Sequence, residues 1–317
     1  MDFGTTIPMR GPLAHAEAIK TLATETETMG FGHISVTDHL IVPRRIDSRY
    51  PYTSDGGFPG EAEGFAFEQF SVMSYLAALT TRAKLITAIT VVPHRGAVAA
   101  AKTISTIDFL SGGRTVLGVG AGWMREEFDA LGIPEFDERG CVTDEYLAAY
   151  KELWTADAPR FDGKYVTFDN ITFLPKPAQE GGPPIWVGGE SGPAMRRTAR
   201  LGDVWFPIAH NPRHLMNTTD RFRAGVARMH QTAETQGRDP ASIGLALFAI
   251  KYSNRPAHDA ETGEREMLSG SNEAIVEDLQ QLAEIGVTDV VVNFHRSTME
   301  KTLGEMRNFV EEIAPKV

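Results

Sequence analysis

A single cysteine, Cys141, stands in 317 residues. No disulfide can form within the chain, and a reducing compartment, the cytoplasm, is the natural expectation. Cys141 follows Asp137-Glu138-Arg139-Gly140 at a helix start and reads as a semi-buried small residue. Cationic excess is missing too: 31 Lys and Arg against 42 Asp and Glu leave a formal net charge of −11, which argues against nucleic acid and an anionic membrane surface as partners. No apolar run approaches the ~18 residues of a membrane-spanning helix. Met1–Leu13 lacks the basic-then-apolar pattern of a secretory signal. The spacings H-x-H and H-E-x-x-H do not occur, and no metal site is expected. A G-x-S-x-G elbow is absent as well, because Gly189-Glu190-Ser191-Gly192 is one residue short. Repeats, low-complexity tracts and interdomain linkers are lacking, so residues 1–317 read as one domain.

Strand and helix signals alternate along the chain. Strands are expected at Asp2–Pro8, His33–Asp38, Leu85–Val92, Thr115–Val119, Pro184–Val187, Val204–Pro207, Ile243–Tyr252 and Asp289–Phe294. Helical spacing covers Leu13–Met29, Phe67–Leu79, Ala97–Leu110, Asp144–Leu153, Pro193–Ala199, Arg213–Gln236, Asn272–Ile285 and Met299–Ile313. Eight strand–helix pairs in this length fit an α/β fold, a single (β/α)8 TIM barrel. The competing open sheet would carry G-x-G-x-x-G, and Gly118-Val-Gly120-Ala-Gly122-Trp123 breaks that spacing. Insertions follow strands two, four and seven: Ile41–Gly64 with Tyr50, Tyr52 and Phe58; Pro159–Pro183 with an Asp-Gly hairpin turn; and the polar Asn254–Gly270. The first and third lie at the C-terminal ends of strands, where barrel active sites are built.

The segment Lys84–Gly132 is the most informative. Its second strand runs through Gly118, Gly120 and Gly122, and residues two apart share a face. Such a stripe without side chains reads as a place where a flat cofactor lies against backbone. The carboxylates Glu126 and Glu127 follow Trp123 closely.

Four stretches together, residues 30–43, 87–114, 116–133 and 183–207, resemble the bacterial luciferase-like monooxygenase superfamily, most closely its deazaflavin (coenzyme F420)-dependent oxidoreductase branch of actinobacterial type. The resemblance implies a cofactor ring at the C-terminal mouth and a non-proline cis peptide near Ile89–Thr90 that presses bulged backbone against the ring. It also implies a phosphate tail on the loop after strand five, and dimerisation through barrel helices. Sugar-phosphate-oxidising members carry Glu at the position of Trp123, Trp at that of Pro43, and a Thr and a Lys near Ile208 and Asn211. These departures argue against a sugar phosphate substrate and put the tail contact in doubt.

The expected catalytic residues are His39, suited to proton transfer near neutral pH, Asp38 to orient it, and Glu126 at the ring edge or substrate. Asp38, Ile89, Thr90, Gly120, Gly122 and Trp123 are expected around the ring, and Gly188, Gly189, Ser191 and Gly192 on the phosphate, where glycine backbone and a helix N-terminus favour an anion. Arg196 or Arg197 would add charge there, Glu190 must point away, and His210, Arg213 or His214 would substitute for the missing lysine. The aromatics of Tyr50–Phe70 read as a lid or as loop packing. The expected reaction is hydride transfer between F420 and a small organic substrate. An FMN-dependent monooxygenase using reduced FMN and oxygen stays open, as does a non-catalytic flavin- or ligand-binding barrel.

Overall fold

The computed structural model describes residues 1–59, 64–134 and 136–317; positions 60–63 of the expected Ile41–Gly64 insertion lie outside them. Eight parallel strands close into a barrel: β1 (Asp2–Thr6), β2 (His33–Val36), β3 (Lys84–Thr87), β4 (Thr115–Gly120), β5 (Ile185–Gly188), β6 (Val204–Phe206), β7 (Gly244–Ala249) and β8 (Val287–Val292). Each pairs with its sequence neighbour, β3 with β4 through Leu85–Thr115 and Ile86–Val116. The ring closes where Asp2, Phe3, Gly4 and Thr5 of β1 register with Asp289 to Val292 of β8. This is the expected single (β/α)8 barrel.

Nine α-helices surround the barrel among the described residues: α1 (Ala16–Thr28), α2 (Gln69–Leu79), α3 (Ala97–Ser111), α4 (Arg125–Leu131), α5 (Arg139–Thr155), α6 (Gly192–Leu201), α7 (Thr219–Thr235), α8 (Asn272–Ile285) and α9 (Met299–Asn308). None is long and apolar enough to cross a membrane. Where sequence periodicity over-extends a helix, local chemistry explains the true boundary. The helix expected from Arg213 begins only at Thr219, because Pro212 keeps the preceding stretch irregular and the Thr218 hydroxyl caps the Arg221 N–H. Cys141 sits in the first turn of α5 and is exposed, not semi-buried.

Strand alternation sorts side chains into two cores. Ile185 and Val187 face the helices, whereas Trp186 points into the barrel and meets Phe206 at 5.2 Å between ring centroids. Phe206 in turn stacks on Phe248 at 5.7 Å. These rings fill the barrel interior as side chains do in such barrels, which leaves the mouth as the place for a ligand.

The expected strand Leu85–Val92 is broken. β3 stops at Thr87, the Ala88–Ile89 peptide is cis, and Thr90–Val91 then pairs with Val119 and Gly120. The cis bond thus falls one peptide before the expected Ile89–Thr90. This bulge also corrects the reading of the glycine stripe. A Cβ on Gly118 would stand 1.9 Å from the Thr87 carbonyl oxygen, one on Gly120 2.6 Å from Ile89 Cδ1, and one on Gly188 2.9 Å from Ile89 Cγ2. At Gly122 it would meet Val91 and Phe128. The room left by the missing side chains holds the protein's own Ile89 and Val91.

Gly118→Ala should therefore cost about 3 kcal/mol or more in urea unfolding, since backbone must move to admit the methyl. Gly304→Ala, in the exposed middle of α9 with open space around it, should instead gain about 0.5–1 kcal/mol. Equal effects at the two positions would contradict this account of the bulge.

Candidate active site

The C-terminal ends of β2, β3, β4 and β5 converge on one group of side chains. At its base lies Glu127, in the first turn of α4 and 1% exposed. Met124, Glu127 and Phe128 recur at helical spacing on the buried face of α4, which is how a carboxylate comes to lie inside. Its Oε1 accepts from the N–H groups of Leu40 (2.8 Å) and Ile41 (3.3 Å), and its Oε2 lies 2.9 Å from His39 Nδ1. His94 Nδ1 stands 3.8 Å from Oε1. Burial pushes the Glu127 carboxyl up, but the His39 hydrogen bond, the neighbouring His39 and His94 and the Ile41 N–H together hold it below the usual carboxylate range. An ionised carboxylate only accepts, so Nδ1 of His39 carries a proton, and whenever the ring is neutral Nε2 is the nitrogen that holds the lone pair.

The His39 side chain is 12% exposed, and Nε2 has no hydrogen-bond partner among the described residues. His94 is nearly enclosed, and burial lowers its pKa despite Glu127 and Asp38 nearby.

Asp38 does not orient His39, contrary to expectation. Its buried carboxylate accepts from Val91 N (2.9 Å) and, bidentately, from Arg95 Nη1 (2.8 Å) and Nη2 (2.9 Å). Arg95 also reaches Glu68 and lies 4.4 Å from the Phe70 ring centroid. Asp38 thus ties the end of β2 to the strand-three bulge, and among the described residues it makes no hydrogen bond to the His39 imidazole. Thr90 donates its hydroxyl to Gln69 at 2.7 Å and is buried. Ile89 is half-buried over the glycines. Glu126 accepts from Asp47 N (2.8 Å) and Ser48 N (2.9 Å), fastening the loop after β2 to α4. The two carboxylates, adjacent in sequence, divide these tasks.

That loop brings aromatics over His39. Phe58 lies 5.0 Å from its ring, Trp123 6.3 Å, and Tyr50 and Phe58 pack against Trp123 at 5.1 and 5.4 Å. Tyr52 comes near enough to Glu190 to feel its charge. Burial first, then Glu190 and Tyr50, push the Tyr52 phenol well above its ordinary range. The loop therefore reaches from β2 across to the segment after β5.

In that segment Ser191 caps α6 by accepting from Ala194 N, and Gly192 is exposed with Arg196 beside it. Gly188 and Gly189 are half-buried, Gly189 with φ +102°. Arg197 is turned inward onto Asp144 and the Gly140 carbonyl. Glu190 is 2% exposed and accepts from Ile208 N (2.6 Å) and Asn211 Nδ2 (3.0 Å). Burial pushes its carboxyl up to about 7, against the pull of these donors. His210 is buried 3.5 Å from Glu266; Arg213 is exposed and His214 half-buried.

Sequence reasoning named Glu127 only as one of a pair and missed His94, Arg95 and Gln69. The helical phase of Met124 and Phe128 was the available signal for Glu127. The other three are joined to the site by contacts across the fold that no local pattern announces.

A family model described as luciferase-like monooxygenase matches residues 1–284. An uncharacterized protein of Mycobacterium tuberculosis is 28% identical over 305 residues, 93% of this chain and 94% of that one. The FMNH2-dependent dimethylsulfone monooxygenase of Pseudomonas putida is 36% identical over 204 residues, 64% of this chain and 52% of that protein. Among solved structures, an F420-dependent secondary alcohol dehydrogenase in complex with an F420-acetone adduct superposes with TM-score 0.74 at 18% identity, over 100% of this chain and 98% of that one.

Two outcomes follow for stability. Asp38→Ala should destabilise by about 2–4 kcal/mol in urea unfolding, because it removes the bidentate partner of a largely buried guanidinium, leaving it Glu68 alone, and the acceptor of the buried Val91 N–H, while His39→Ala should cost only about 1–2 kcal/mol. Glu190 has a folded pKa raised above its ordinary 4.5, so its stabilising contribution is complete below pH 4.5 and is lost as pH rises through about 7. Glu190→Gln should consequently gain on the wild type by up to about 3 kcal/mol between pH 5 and pH 8. A pH-independent difference would show that the carboxyl ionises normally.

Proposed function

The chain belongs to the luciferase-like monooxygenase family, and we propose that it is an F420-dependent oxidoreductase that moves a hydride between the deazaflavin and a small organic substrate. The observation that carries this reading is His39, held by Glu127 through Nδ1 at 2.9 Å beneath Phe58 and Trp123. A hydride passing to or from a carbonyl carbon needs a proton moving to or from its oxygen, and a fixed imidazole in an apolar enclosure suits that task.

The side chains fit such a cofactor. Ile89 offers an apolar floor, and Trp123 with the loop aromatics a wall. Gly192 with its exposed N-terminal position on α6 and the Arg196 guanidinium beside it suit a phosphate. When bound, the deazaflavin supplies or accepts the hydride. Nε2 of His39 would then take the proton from an alcohol oxygen through its lone pair, or in the reverse direction give it from the doubly protonated ring, while Glu127 fixes Nδ1 and Tyr50, Tyr52 and Phe58 exclude water. Asp38 acts at a distance, by setting the bulge through Val91 and Arg95. The apolar wall favours an apolar or aromatic alcohol, carbonyl or enone. The similarity in fold to an F420-dependent secondary alcohol dehydrogenase is in keeping with this.

The 36% identity to an FMNH2-dependent monooxygenase favours a second reading, a reduced-FMN monooxygenase that consumes oxygen. Fluorescence titration of the apo-protein with F420 and FMN in parallel separates the two. F420 should bind with a micromolar Kd and FMN more weakly; the reverse order would favour the monooxygenase, and binding of neither a non-catalytic barrel. With F420 and a turned-over alcohol or enone, His39→Ala should lower kcat by about 10²–10⁴-fold with cofactor Kd unchanged. Unaltered kcat would remove His39 from the proton transfer.

A further inference from the structure

The opposite pole of the barrel holds a cluster unconnected with the mouth. Asp2 begins β1, His33 begins β2 and Asp289 lies near the start of β8, and one ligand-type atom from each comes within 4.8 Å of the other two. His33 is fully buried inside the barrel, its ring 6.0 Å from that of Trp186. Gly4 makes room for it, since a Cβ there would stand 2.5 Å from His33 Cβ.

His33 Nε2 is 3.0 Å from Asp289 Oδ1, yet among the described residues neither ring nitrogen has a partner in hydrogen-bonding geometry. At that distance the failure is one of direction: an N–H on Nε2 would not point at the oxygen. A buried imidazole bonded at neither nitrogen is costly. The separation instead matches two ligands of one ion. Donors ~2.1 Å from a zinc-sized cation stand roughly 3.0–3.4 Å apart at angles between 90° and tetrahedral. The second oxygen of Asp289 accepts from Thr288 Oγ1 at 2.6 Å, which orients the carboxylate and leaves Oδ1 facing His33. The Asp2 side chain is 64% exposed, and Lys84, half-exposed with Nζ 4.0 Å from Asp2 Oδ2, is the competing cation.

We propose that Asp2, His33 and Asp289 form a divalent-cation site of the zinc class that joins β1, β2 and β8 at the seam where the barrel closes. Two carboxylates and one neutral imidazole give a mixed oxygen–nitrogen donor set suited to Zn2+. His33 Nδ1 lacks the carboxylate or carbonyl partner that strengthens most ligating histidines, so micromolar affinity is expected. Lying at the N-terminal face, the site serves stability and not the chemistry at the mouth.

Full-length protein stripped with EDTA and freed of chelator tests this by calorimetric titration with ZnCl2, with CoCl2 as a spectroscopic substitute. One equivalent of Zn2+ should bind with a Kd on the order of 1–100 μM and raise Tm. Asp2→Asn, an exposed change, and Asp289→Asn should each weaken binding at least tenfold, while His39→Ala should leave it intact. Co2+ should give visible d–d absorption that disappears in Asp2→Asn. Failure of the wild type to bind one equivalent, binding unaltered in both Asn variants, or binding abolished by His39→Ala would overturn the proposal and leave the cluster as a Lys84–Asp2 and His33–Asp289 charge network.

Discussion

The mouth of this barrel depends on one buried carboxylate. Glu127 accepts from two backbone N–H groups just after β2 and from His39, with His94 alongside. Three of these contacts lie on the chain leaving β2 and one beyond β3, while Glu127 itself belongs to α4. A buried charge is tolerable only when such donors surround it, and once they do, they are fixed in turn. The loop after β2 leaves its strand in a defined direction, His39 is held in one tautomer, and the aromatics that follow come to rest on Trp123. Glu126, one residue earlier on the same helix, extends the fastening to Asp47 and Ser48.

A second constraint sets the floor. The chain after β3 bulges inward, and the space for it exists only because β4 and β5 present glycine at Gly118, Gly120 and Gly188. Asp38 holds the bulge through Val91 N and through Arg95, which Glu68 braces from the start of α2. Asp38 and Glu127 therefore have parallel tasks. Each is a buried acid that fixes one wall of the mouth by collecting donors from segments remote in sequence. Glu190 is a third acid at the rim and is less well supplied, with one backbone and one amide donor. That is why burial prevails there and the carboxyl titrates near neutrality.

The barrel was legible from the sequence because its signals are local and repeated: eight strand patterns alternating with helical spacing, and a glycine fingerprint incompatible with a dinucleotide fold. Some of the side chains named from the sequence are neighbours in the fold. His39, Trp123, Tyr50 and Phe58 do come together, and the Glu126–Glu127 pair does sit beside them. Their pairings were not legible. Asp38 and His39 are adjacent in sequence, which suggested a dyad, but successive side chains leaving a strand diverge, so Asp38 turns to Arg95 and His39 to Glu127. The glycine stripe was read as empty because a strand pattern shows which side chains are missing and not what moves into their place; Ile89 arrives from a neighbouring strand through a backbone break that periodicity does not register. The Asp2–His33–Asp289 cluster escaped for the same reason, since its members come from three strands and share no spacing.

Through its hydrogen bond, Glu127 fixes His39 with a proton on Nδ1 and leaves Nε2 for the lone pair. Long-range 1H–15N correlation NMR of the histidine-labelled protein near neutral pH reads this directly. The account predicts a protonated, hydrogen-bonded Nδ1 and an unprotonated Nε2 for His39, with the Nδ1 signature lost in Glu127→Gln. A His39 ring that carries its proton on Nε2, or whose tautomer is the same with and without the Glu127 carboxylate, would contradict it.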